Sequence, residues 1–152
     1  MINSPPSLLY ALLMLVAGLG IPIMAALNAG LGQKLQSPAL ATVILFVIGT
    51  LLSVVYLLVN EGIPKLDAQV KVPAYFYMAG AFVIFYILSI TWVVPKFGVG
   101  NAISFVLLGQ LISMASIDHY ALLGTVCQPI SWQRLAGLAL MALGAAIALP
   151  RL

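Results

Sequence analysis

The sequence predicts an all-α integral membrane protein with five transmembrane helices, and three observations carry that expectation. Of 152 residues, 64% are hydrophobic and only 6% charged, against about half apolar and a quarter charged in soluble domains. Mean hydropathy is +1.20. The charged residues cluster between long uncharged stretches: none precedes Lys34, and none lies between Lys34 and Glu61, Lys71 and Lys96, Lys96 and Asp118, or Arg134 and Arg151. Each stretch is long enough to cross a hydrocarbon layer that takes about 20 apolar residues. A single transmembrane domain over 1–152 is expected, with no room for a soluble catalytic module.

The spans are Leu8 to Leu31, Pro38 to Val59, Pro73 to Val94, Asn101 to Leu122 and Trp132 to Leu149, helical because lipid leaves no partner for open backbone groups. The first span has no Lys or Arg ahead of it and no small-residue cleavage site after it, so it reads as retained rather than as a signal peptide. The second opens on Ser37-Pro38, a capping hydroxyl before a proline suited to a first turn. In the third, Tyr75 and Trp92 lie 17 residues apart, about 25 Å of helix, and read as interface anchors. Ser131 stands before the fifth span, while Pro95, Gly124 and Pro150 mark expected stops. The connection Glu61 to Val72 is longer and polar; Gln33 to Ser37, Lys96 to Gly100 and Leu123 to Ser131 are short.

Charge also bears on orientation. Numbering the sides by crossing, one receives Lys65, Lys71 and Arg134 and the other Lys34, Lys96 and Arg151. This tie removes the bias that orients membrane proteins. Dual topology is the expectation, two oppositely inserted copies forming an antiparallel homodimer of ten helices, like the inverted repeats of single-chain transporters. The other reading is a single orientation fixed by a partner or a fine positional bias.

Polar residues within the spans are the candidate site. Pro22 follows Gly18 and Gly20 and removes one backbone hydrogen bond from the first helix, marking Gly18 to Pro22 as a hinge; Asn28 beyond it reads as a substrate contact or as a helix-to-helix bond. Gln110, mid-way along the fourth span, with Ser113 on the same face and Gly109 beside it, reads as ligand-binding or as interhelical glue. Asp118 and His119 are the ionisable pair nearest a hydrophobic segment, read as a coupling acid and its relay, or as an acid paired with Arg134 across a short loop. Tyr75, Phe82 and Tyr86, with Ser89 nearby, fall in one arc of the third helix and form either an aromatic wall for ligands or packing. Gly137, Gly144 and Ala148 form a small-residue stripe on the fifth, a contact for a second copy or for a neighbouring helix.

Several functions find no residues. No Gly-rich loop leads into a Lys, no Ser/His/Asp set or paired acids suit hydrolysis, and no enzyme or ATP-driven activity is expected. One cysteine, Cys127, and one histidine do not make an ordinary metal site, and no cofactor is expected. A net charge of +3 spread along the chain makes no nucleic-acid patch.

In combination, these residues resemble the YdcZ-type family of small membrane proteins in the drug/metabolite transporter superfamily. The matching positions are Gly18, Pro22, Ala25, Asn28, Leu31, Ser37-Pro38, Phe46 and Gly49, then Gly109-Gln110, Ser113, Asp118-His119, Gly124, Pro129 and Arg134 to Gly137, spread over nearly the whole chain. Met24 stands where that family often has Gln. The resemblance implies a five-helix unit equivalent to half of a ten-helix transporter, paired with itself or with a homologous subunit in the bacterial inner membrane, and exporting a small molecule. Alternating access with proton coupling is the leading expectation. An accessory subunit that transports nothing and a lipid or amphiphile flippase are the alternatives.

Overall fold

The computed structural model describes residues 7–63 and 72–148. Lys65, Asp67, Lys71, Leu149, Pro150 and Arg151 lie outside the described residues. Those described are helical, with no strand among them: α1 Ser7–Lys34, α2 Pro38–Asn60, α3 Ala79–Phe97, α4 Val99–His119 and α5 Trp132–Ala148. A 3-10 turn, Ala74–Met78, leads into α3, and a second, Leu122–Gly124, follows α4. Among the described residues four helical segments are long and apolar enough to cross a membrane: Leu9–Lys34, Pro38–Asn60, Ala74–Phe97 and Val99–His119. At 17 residues, α5 is shorter, about 25 Å long, at the lower limit for a span.

The chain divides into two compact units at Lys96/Phe97. In the first, α1 ends in a Schellman turn. Gln36 takes a left-handed φ of 52°, its N–H donates to the Gln33 carbonyl at 3.1 Å, and the Ser37 N–H donates to the Gly32 carbonyl at 3.0 Å. Ser37 then caps α2, its hydroxyl accepting from the Leu40 N–H at 3.1 Å, with Pro38 in the first turn. One residue therefore closes α1 and opens α2.

The buried core of this unit sets small side chains on α1 (Ala25, Asn28, Ala29) and α2 (Ala41, Thr42) against Ile87, Ile90, Thr91 and Val94 on α3. Gly32 sits where the three helices crowd. A Cβ there would lie 3.1 Å from Thr91 Cγ2, 3.4 Å from Pro38 Cα and 3.6 Å from Ala41 Cβ. Small residues substitute here for the missing hydrophobic drive between helices in lipid, because they let dispersion and hydrogen bonds act at short range. The α1 residues from Leu9 to Ile21 are exposed on every side.

Several helix limits differ from the expected ones: α1 runs on past Leu31 to Lys34, the third span opens as a 3-10 turn so that α3 begins at Ala79 rather than Pro73, and α4 begins at Val99 rather than Asn101. Pro95 does not end α3, which runs on to Phe97; the stop is Gly98, whose φ of 85° and ψ of 150° leave the helical region. Gly98 alone separates α3 from α4, in place of the expected loop from Lys96 to Gly100. α4 ends at His119 rather than Leu122, because Ala121 (φ 49°) and Leu123 (φ 58°) turn left-handed. At the end of α3, the Lys96 ammonium sits 3.6 Å from the centre of the Trp92 ring, a cation–π contact suited to the rim of a membrane.

In the second unit, α4 and α5 border a shared apolar groove of about 360 Å³, with Leu108, Leu111 and Ala115 on one wall and Leu135, Leu138 and Ala142 on the other. Ser131 caps α5, accepting from the Arg134 N–H at 3.2 Å.

Candidate functional site

Polar groups gather at three places. The first is the α1–α3 contact, where Asn28 and Thr91 are 4% and 1% exposed. The Asn28 amide Nδ2 donates to Thr91 Oγ1 at 2.6 Å. A bond between buried side chains of different helices satisfies groups that hydrocarbon would otherwise leave unpaired. Asn28 also lines a groove of about 280 Å³ between α1 and α2, with Met24, Leu27, Leu31, Ile44 and Leu45. Six residues before Asn28, Pro22 is half-buried, and a methyl group added at Gly18 or Gly20 would meet nothing within 4 Å. α1 stays helical through Pro22, which cannot donate to the Gly18 carbonyl. The proline thus divides a bare stretch of α1 from a packed one.

The second place is the part of α4 that does not line the groove shared with α5. Gln110 and Ser113 are exposed, and among the described residues neither side chain has a hydrogen-bond partner; Ser116, by contrast, donates to the Ile112 carbonyl at 2.9 Å. At the start of α4, Asn101 Nδ2 donates to the Phe97 carbonyl at 3.0 Å while its Oδ1 is buried without a partner. On α3 the Tyr86 hydroxyl is likewise buried and unpartnered. Phe82 is 71% exposed, and Tyr75 belongs to the 3-10 turn, where it stacks on Phe76 with ring centres 4.4 Å apart. A 3-10 turn has three residues per turn, so Tyr75 does not keep the α-helical register with Phe82.

The third place is the α4–α5 turn. The Arg134 guanidinium pairs with the Asp118 carboxylate and also donates to the Gln128 carbonyl at 3.1 Å. The Gln128 N–H returns a bond to the Asp118 carbonyl at 2.9 Å. His119 Nδ1 accepts from the Ile130 N–H at 3.2 Å, and the Tyr120 ring meets the imidazole edge-on at 4.7 Å. The Cys127 thiol donates to the His119 carbonyl at 3.7 Å. Asp118 and His119 therefore anchor the turn by side chain and backbone together. On α5, Gly137 is half-buried, Gly144 and Ala148 are exposed, and a methyl group added at either glycine would likewise meet nothing within 4 Å. That stripe is distinct from the residues lining the α4 groove.

Thr91, Gly32 and Gly98 are additions to the residues singled out from sequence. Gly32 was within reach: Ala25, Ala29 and Gly32 recur every three to four residues, the same small-residue signature as on α5. Thr91 has no such signal, since an isolated threonine in a helix ordinarily bonds its own backbone.

Helices of this length and apolarity, with sparse polar groups on their faces, define a multi-pass membrane protein. The family model DMT_YdcZ, described as "Putative inner membrane exporter, YdcZ", matches residues 9–147. The chain belongs to that YdcZ family of the inner membrane. No curated protein and no solved structure matches it.

Proposed function

We propose that the chain is one half of a paired exporter: two five-helix copies inserted in opposite senses move a small organic solute by alternating access. The observation that carries this reading is the bare face of α4. Among the described residues Gln110 and Ser113 have no side-chain partner, and an unpaired amide in hydrocarbon costs several kcal/mol. A second copy facing α4 would enclose them in a polar passage, and the tie in Lys and Arg supports opposite insertion. In this reading Gly18 to Pro22 is the hinge, since the packed half of α1 is fixed while the half before it is bare. Asn28, Gln110, Ser113 and Tyr86 line the path, and Gly137, Gly144 and Ala148 form the contact between copies.

Asp118 is the coupling acid and His119 its relay. Protonating Asp118 removes the negative charge that holds Arg134, which would free the α4–α5 turn during the transport cycle. Purified protein in liposomes tests the whole: proton-driven efflux of an organic solute is expected and should fail in Asp118→Asn. No flux from the protein alone would favour the accessory-subunit reading. Labelling tags at both ends should find each end on both sides of the membrane, and a single orientation in every copy would exclude the inverted homodimer.

A second reading, an amphiphile flippase, is favoured by the apolar grooves. One of about 530 Å³ lies between α2 and α3 and is bordered by Val43, Val47, Leu51, Ile84 and Leu88, with Thr42 and Thr50 as polar groups.

A further inference from the structure

We infer that the α1–α2 groove recognises a neutral amphiphile, an apolar body bearing one hydroxyl or N–H head, and that Thr91 is the positioning residue that sets this preference. The inference rests on the transporter reading and adds a substrate class to it. Asn28 is the one polar residue in the groove; its companions are Met24, Leu27, Leu31, Ile44, Leu45 and Ile48. Its amide nitrogen is turned to α3 and held by Thr91 Oγ1. The planar amide turns its carbonyl oxygen away from α3. Among the described residues no group donates to that oxygen, and Asn28 is the polar residue of the groove lining.

What the groove offers is therefore a hydrogen-bond acceptor among hydrocarbon side chains. An acceptor rewards a ligand that brings a donor, and a donor-less isostere leaves the oxygen bare, a loss that is large where water is excluded. No acidic residue lines the groove, so a permanent cation would enter without a counter-charge, at high desolvation cost. This argues for a neutral head and against a quaternary ammonium.

The test is a binding titration by NMR on the full chain in lipid nanodiscs, following the Asn28 side-chain amide resonance, assigned by its loss in Asn28→Leu. The probes are n-hexanol, its isomer pentyl methyl ether, and pentyltrimethylammonium. Hexanol should shift the resonance saturably and bind at least tenfold more tightly than the ether, with no saturable shift from the ammonium. Thr91→Val should free the amide to turn and reduce the alcohol-to-ether ratio to about one, while Thr91→Ser keeps it. Equal binding of ether and alcohol would show a merely lipophilic groove, and saturable binding of the ammonium a cation site; either overturns the inference, as does a ratio unchanged in Thr91→Val. Selective binding without liposome flux would remove the transporter reading and leave this one standing.

Discussion

Arg134, in the first turn of α5, holds the Asp118 side chain at the end of α4 and the Gln128 carbonyl of the intervening turn at once. The guanidinium suits this, since its fixed fork of donors serves two acceptors that a lysine ammonium would meet as a single point charge. The pair is 25% and 27% exposed, so solvent screens it and its coupling energy should be modest. A double-mutant cycle with Asp118→Asn and Arg134→Gln should give about 1 kcal/mol. Hydrogen exchange in residues 120–131 should rise in both single variants, and unchanged exchange would show that the ion pair does not hold the turn.

His119→Phe keeps the aromatic contact with Tyr120 and removes the acceptor for the Ile130 N–H. Exchange at the Ile130 amide is expected to quicken by roughly fivefold, for a bond contributing about 1 kcal/mol. Amides in the middle of α5 should be unaffected.

Gln36→Gly should stabilise the protein. The left-handed conformation at the end of α1 costs a residue with a side chain about 1–2 kcal/mol, and glycine avoids that cost while losing part of the gain to unfolded-chain entropy. A net increase of about 0.5–1 kcal/mol should be visible in denaturation by SDS in mixed micelles, and a decrease would mean that the Gln36 side chain makes a contact of its own.

Gly98→Ala should do the opposite. With φ 85° and ψ 150°, the position lies in a region nearly exclusive to glycine, and alanine should cost about 1–3 kcal/mol there. Because Gly98 is the whole connection between α3 and α4, exchange should rise at the adjoining ends of both helices.

Gly32→Ala places a methyl 3.1 Å from Thr91 Cγ2 and 3.4 Å from the Pro38 backbone, and overpacking of this kind costs about 1–3 kcal/mol. The threonine methyl yields more readily than the proline backbone, so Gly32→Ala combined with Thr91→Ser should recover part of the loss. Full additivity of the two changes would argue against the close crossing.

Much of the architecture was legible because lipid imposes simple requirements. Apolar runs between Lys34, Glu61, Lys71, Lys96 and Asp118 fixed the helices to within a few residues, and Ser37-Pro38 and Ser131 announced two helix starts through the chemistry of their side chains. The ends of α3 and α4 were less legible. Pro95 is a strong breaker by local rules, yet α3 passes through it, and the left-handed Ala121 and Leu123 carry no residue-level sign because neither is a glycine or an asparagine. Asn28 could be singled out from the cost of burying its amide, but its partner Thr91 lies 63 positions away, a pairing that depends on how two helices cross and not on any spacing along the chain.

The corner at Ser37 has a bearing on how this molecule is made. With one residue finishing α1 and starting α2, the two segments have no slack between them and are held together further by the tight packing around Gly32. They are suited to enter lipid together, as the two prongs of one folded staple.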